Sequence, residues 1–180
     1  MSSLARPARW IGITVLLGAL LAATLLWLPI PARQRLLQTP SRFPSPTPNL
    51  TLIDIHGNKI TLASLRGKVL IVNFWSPSCA PCLKEMPIWV KTRQTWAARG
   101  LEVLAISMPT DAPNHVIAFA ESRQLPFPVV LDLIGEANRA FGGVQVMPTT
   151  FLIDRQGQVV HKFVGIPPVA DLQAALQSLL

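Results

Sequence analysis

Two of the 180 residues are cysteines, and they stand three apart in Ser76-Pro77-Ser78-Cys79-Ala80-Pro81-Cys82. Two thiols at that spacing, on a helix, lie one turn apart and can close a local disulfide. The chemistry open to such a pair is thiol–disulfide exchange, with one sulfur as nucleophile and the other displacing the mixed disulfide. The position of Cys79 favours the first role. It would sit at a helix N-terminus, where unpaired N–H groups and the helix dipole stabilise a thiolate. Pro81 costs little there, because donors at a helix start are spare.

Other uses of the pair fit less well. Half of a zinc site needs further ligands, and His56, His115 and His161 are scattered with no motif linking them to the cysteines. A passive structural disulfide gains more from closing a longer loop. A peroxidatic cysteine needs no second cysteine nearby, and Val72 stands where the peroxiredoxin pattern has proline. The expected site therefore contains no metal and needs no cofactor.

The elements that must position the pair can be read around it. Lys68 to Trp75 is an apolar, β-branched run of the kind found in the middle of a sheet. From Ala80, the residues Leu83, Met86, Trp89, Val90 and Trp96 fall at helical spacing, with Pro87 expected to kink the helix. Upstream, 50–55 and 60–62 read as a hairpin around His56-Gly57-Asn58-Lys59. Downstream, strands are expected at 101–106, 128–131, 150–153 and 158–163. Helices are expected at 113–123 and 169–180, with a helical turn at 137–141. Strands alternating with helices and closed by a hairpin imply an α/β fold, a mixed sheet with helices on both faces.

Composition narrows the rest. Half of the chain is hydrophobic, which excludes a charged disordered chain. The formal charge is +7, but Arg6, Arg9, Arg33, Arg35 and Arg42 precede residue 49 with no acidic residue among them, leaving +2 for 49–180. The basicity thus belongs to the N-terminal region, and a nucleic-acid partner is not implied. Trp10 to Ala32 is a 23-residue stretch without a charged side chain. As a helix it spans about 33 Å, enough for a bilayer core of about 30 Å. Its length exceeds a signal-peptide core and no Ala-x-Ala site follows, so a retained anchor is expected over a cleaved signal. Basic residues flank it on both sides, and charge alone does not orient it. The expected organisation is an N-terminal tail over 1–9, a transmembrane anchor over 10–32, a proline-rich tether over 33–48 and a globular domain over 49–180.

Together, Val72 to Pro87 and Val146-Met147-Pro148-Thr149-Thr150-Phe151-Leu152-Ile153-Asp154-Arg155-Gln156-Gly157, with the opening Gly67-Lys68-Val69-Leu70, resemble the TlpA/ResA/CcmG-like membrane-anchored thioredoxins. The resemblance covers about residues 49–180. It implies a thioredoxin fold with an N-terminal hairpin extension. Pro148 would be cis beside the disulfide, and Met147 and Thr149 would offer backbone groups to a substrate strand. It further implies a catalytic domain on the extracytoplasmic side of the cell membrane and exported protein thiols or disulfides as partners. A membrane thiol–disulfide transporter would supply electrons to a reductant, with cytochrome c maturation as one setting. Two other readings stay open: a tethered thioredoxin scaffold that binds without turnover, and a thiol peroxidase.

The chain departs from that pattern in ways that bear on the site. Ser78 replaces the usual tryptophan before the first cysteine, and its hydroxyl is a candidate for donating near the thiolate and tuning its acidity. Asn73 stands where ordinary thioredoxins carry a buried, titrating Asp, and Asn cannot titrate. Asp111 falls where the cytochrome-maturation branch has an acidic residue, so it is a candidate for tuning thiol acidity; the alternative is a helix cap at Thr110-Asp111-Ala112-Pro113. Trp89 and Trp96 read as packing, His56 as a turn residue, and Lys84-Glu85 as a solvated helix face.

Overall fold

A computed structural model describes residues 45–180. The expected anchor over 10–32 and most of the tether lie outside the described residues. Among the described residues, no helix is long and apolar enough to cross a membrane. In chain order the strands are β1 (Ser45–Pro46), β2 (Thr51–Ile53), β3 (Lys59–Thr61), β4 (Val69–Trp75), β5 (Leu101–Ser107), β6 (Val129–Leu131), β7 (Thr149–Ile153) and β8 (Gln158–Val164). The helices among the described residues are α1 (Ala80–Trp96), α2 (Pro113–Ser122), α3 (Glu136–Ala140) and α4 (Val169–Leu179).

Six strands form one sheet in the order β1-β8-β7-β4-β5-β6, and β2 and β3 pair as a separate hairpin. Strands β4, β5 and β6 are parallel, whereas β7 runs antiparallel to β4. The run from Val69 to Trp75 is buried throughout, which is why it reads as continuous hydrophobicity rather than alternation. Its period of two still sorts the side chains. Val69, Ile71 and Trp75 join the cluster that holds Cys82, Met86, Trp89, Val116 and Leu176. Leu70, Val72 and Phe74 join the opposite cluster with Leu50, Leu52, Ala137 and Phe141.

Helices cover both faces, as expected, but unequally. Helices α1, α2 and α4 pack on the first face. The second receives the hairpin, a 3-10 turn at Leu62–Leu65 and the five-residue α3. Helix α1 runs unbroken through Pro87, whose missing N–H falls opposite the carbonyl of Leu83 on an exposed residue.

The tether expected over 33–48 ends earlier than its proline content suggested. Ser45 and Pro46 pair with Val159 and Gln158 at the sheet edge, and the Thr47 N–H and hydroxyl both donate to the Gly157 carbonyl. Pro46 is tolerated because an edge strand needs donors on one side only.

Candidate active site

The site forms where the parallel strands end. Strand β4 finishes at Trp75, a turn over Ser76–Ser78 follows, and α1 begins with Cys79 as its N-cap. Strand β5 ends beside β4, with Ser107 opposite Trp75, and leads to Asp111. Strand β7 starts at Thr149 opposite Phe74, so the preceding Met147-Pro148 also lies at this end of β4. Three separate stretches of sequence are thereby brought to one edge.

Cys79 and Cys82 are joined as a disulfide, with their Cα atoms 5.2 Å apart. The Cys79 sulfur accepts the Cys82 N–H at 3.2 Å, the bond expected of an N-cap side chain. Cys79 is half-buried and Cys82 is 0 % exposed. The two sulfurs are therefore unequal: an incoming disulfide can reach one, and the other is accessible only from within.

The Met147–Pro148 peptide is cis. Pro148 and Thr149 are buried, and Met147 is half-buried against the cluster that contains Cys82. The turn is fastened on both sides. The Thr149 hydroxyl donates to the Val146 carbonyl at 2.6 Å, and the Gly165 N–H donates to the Pro148 carbonyl at 2.8 Å.

Glu85, expected on a solvated face, is instead 0 % exposed. It lies three residues after Cys82 and four before Trp89, within the stripe Cys82, Glu85, Met86, Trp89 and Thr92 that α1 buries. That spacing was the available signal, and the charge of Glu85 masked it. Asn73 alternates onto the same face of β4. Its amide donates to Glu85 Oε1 at 2.7 Å and to Thr150 Oγ1 at 3.0 Å. Glu85 Oε2 has no partner among the described residues. Burial raises the Glu85 pKa from 4.5 to about 7, against the opposing pull of the nearby Trp89 indole N–H, which falls short of hydrogen-bond geometry, and of the Asn73 amide. A titratable carboxyl thus sits one helical turn from Cys82, and the untitratable Asn73 serves to hold it.

Asp111 does not cap α2; the cap position is Ala112, without a side-chain bond. Its Oδ1 accepts the Ser76 hydroxyl in a short hydrogen bond, and its Oδ2 accepts the Met108 N–H at 2.9 Å. Ser76 and Ser78 hydroxyl oxygens lie 2.8 Å apart. Asp111 therefore reaches the turn before Cys79, while Ser78 directs its hydroxyl at Ser76. The packing tryptophans are as expected, Trp89 fully buried and Trp96 half-buried. His56 lies in the β2–β3 turn, its N–H on Asp54 Oδ1.

Comparison with known proteins agrees with this geometry. A family model described as Redoxin matches residues 42–176. The thiol-disulfide oxidoreductase ResA of Bacillus cereus is 36% identical over 137 residues, covering 73% of this chain and 75% of that protein. ResA of Geobacillus thermodenitrificans is 36% identical over 135 residues, covering 75% and 76%. The crystal structure of a thiol:disulfide interchange protein of the thioredoxin family from Chlorobium tepidum matches with a TM-score of 0.69 at 31% identity. It covers 77% of this chain and 98% of that one. The fold is accordingly thioredoxin-like, and β2–β3 is the hairpin extension expected before it.

Proposed function

Because the chain belongs to the redoxin family and is a thiol-disulfide oxidoreductase of the ResA type, we propose that it reduces disulfides in exported proteins through Cys79 and Cys82. The observation that carries this reading is the asymmetry of the pair, an accessible Cys79 at the start of α1 and an enclosed Cys82 beside a buried carboxyl.

In the reduced protein the Cys79 thiolate attacks one sulfur of a substrate disulfide. A Cys79–substrate disulfide forms and the substrate's other sulfur leaves as a thiolate. Cys82 then loses its proton to Glu85 and attacks Cys79. The second substrate thiolate leaves, and the protein is left in the disulfide form. Two electrons pass to the substrate, and a membrane thiol–disulfide partner returns them. Met147, Pro148 and Thr149 shape the groove in which the substrate strand lies.

The stretch over 10–32 anchors the protein in the cell membrane, with the domain on the extracytoplasmic side. What supports the anchor is its length and apolar character in the sequence; the side rests on the resemblance to membrane-anchored thioredoxins. Cytochrome c maturation is one process in which exported cysteines need such a reductant.

The roles separate in two variants. Cys82→Ala should accumulate mixed disulfides in membranes, identifiable by mass spectrometry, because nothing displaces the substrate. Cys79→Ala should form none. Exchange activity retained by Cys79→Ala would overturn the assignment, and a Cys82→Ala protein that captures nothing would favour a binding scaffold without turnover.

A further inference from the structure

We propose that Asp111 is a positioning residue for Cys79: it fixes the direction of a hydrogen-bond chain from Ser78 through Ser76 to Asp111, which turns the Ser78 hydroxyl away from the adjacent thiolate. The chain follows from counting protons. Ser76 is 1% exposed, and three partners converge on its oxygen: Asp111 Oδ1, the Ser78 hydroxyl at 2.8 Å and the Ser78 N–H at 3.2 Å. The Ser76 hydroxyl donates to Asp111 Oδ1, so its single proton points at Asp111. Of the two serine hydroxyls, Ser78 must then be the donor. Its one proton is used, and none is left for the neighbouring sulfur. The Met108 N–H on Oδ2 fixes the carboxylate from its other side.

The consequence rests on the exchange reading above. A thiolate denied a hydroxyl donor is less stabilised. The reduced form is then less favoured, and the pair is a stronger reductant. Asp111→Asn reverses the chain. To keep accepting the Met108 N–H, the new amide must turn its oxygen there and its NH2 toward Ser76. Ser76 then donates to Ser78, and the Ser78 hydroxyl is released to Cys79.

The test is the rate of iodoacetamide alkylation of Cys79 across pH in the reduced full chain, with the modified cysteine identified by peptide mass spectrometry. A hydrogen bond to a charged sulfur corresponds to about a tenfold gain in thiolate below its pKa. Asp111→Asn should show that gain, and Ser78→Ala alone should stay within about twofold of the parent, on the same magnitude. The double variant should lose most of the gain. Ser76→Ala, which removes the acceptor of the Ser78 hydroxyl, should reproduce the gain even if Asp111→Asn folds poorly. A gain in Asp111→Asn that survives Ser78→Ala would mean that only the lost charge matters, and would overturn the chain. So would no gain in either Asp111→Asn or Ser76→Ala, or a tenfold change in Ser78→Ala alone. Alkylation reads the thiolate whether or not any protein is reduced, so failure of the exchange reading would leave this result standing.

Discussion

Glu85 ties the chemistry to a single side chain. In the proposed mechanism Cys82 resolves the mixed disulfide; its sulfur is enclosed, so its proton cannot pass directly to bulk water and needs an acceptor inside the fold. Asn73 occupies the site of a titrating residue in ordinary thioredoxins but carries no exchangeable charge. Its amide instead holds Glu85 Oε1, leaving Oε2 open on a carboxyl whose pKa burial lifts to about 7. A base with that pKa is half-ionised near neutral pH, where general-base catalysis is most effective. The resolution step should accelerate as pH rises through about 7, as Glu85 ionises. Glu85→Gln keeps the Asn73 contact but removes the base. Release of substrate from a preformed Cys79 mixed disulfide should slow by about a hundredfold and lose the limb near neutrality. Stopped-flow release measured from pH 5 to 9 reads both effects. An unchanged profile in Glu85→Gln would exclude this carboxyl as the acceptor. The initial attack by Cys79 should be unaffected, which separates a proton-transfer role from general damage to the site.

At the scale of elements, the short helix α3 shows how a side chain substitutes for length. Five residues cannot sustain a helix through their own hydrogen bonds. Gly135, at the cap position with a φ of +70°, offers no side chain to the free N–H groups. Asp132, three residues earlier and 5 % exposed, accepts from the N–H groups of Ala137 at 3.1 Å and Asn138 at 2.7 Å. Asp132→Ala should cost about 2 kcal/mol in urea unfolding, since it leaves one buried and one half-buried donor without their acceptor. A loss below about 0.5 kcal/mol, the scale of an ordinary surface substitution, would show that water replaces the carboxylate. Elements of this kind also mark where sequence reading ran out. The buried run of β4 and the helical spacing of α1 are strong local signals, and both elements lie where those signals put them. Pro46 in β1 sends the opposite local signal, and only its place at a sheet edge makes it compatible with pairing. Which face each helix covers is likewise a tertiary fact, absent from the periodicity of any one segment. The cysteine pair was legible because its chemistry is written in adjacent residues, whereas the Met147-Pro148-Thr149 turn could be singled out only through its resemblance to a known family. The link from Asp111 to Ser76 spans 35 positions and emerges only once β4 and β5 lie side by side.

Over the whole molecule, two buried carboxyls act on stability in opposite directions. Burial pushes the Asp54 pKa up, but the side chain and backbone of Asn58 and the His56 N–H outweigh it, so the group is held below 3.8. Its stabilisation is complete above that value and is lost as pH falls through the folded pKa. Glu85 works the other way. Between 4.5 and about 7 the folded chain holds a proton that the unfolded chain has released. Stability therefore declines as pH rises across that window, by an amount of order 3 kcal/mol for a shift of this size. For these two groups alone, the disulfide form should be most stable near the lower end of that window, where Asp54 is ionised and Glu85 is not. Urea unfolding of the disulfide form at pH 5 and pH 8 measures the decline. Glu85→Gln has no proton to exchange, so its midpoint should change little between the two, and at pH 8 it should exceed the parent. If the parent and Glu85→Gln kept the same slope, Glu85 would have to be ionised in the fold at pH 5, against its enclosure. The same burial that lowers stability at neutral pH is what gives Glu85 a pKa suited to taking the Cys82 proton. A variant stabilised by Glu85→Gln at pH 8 should therefore be the one that resolves mixed disulfides slowly.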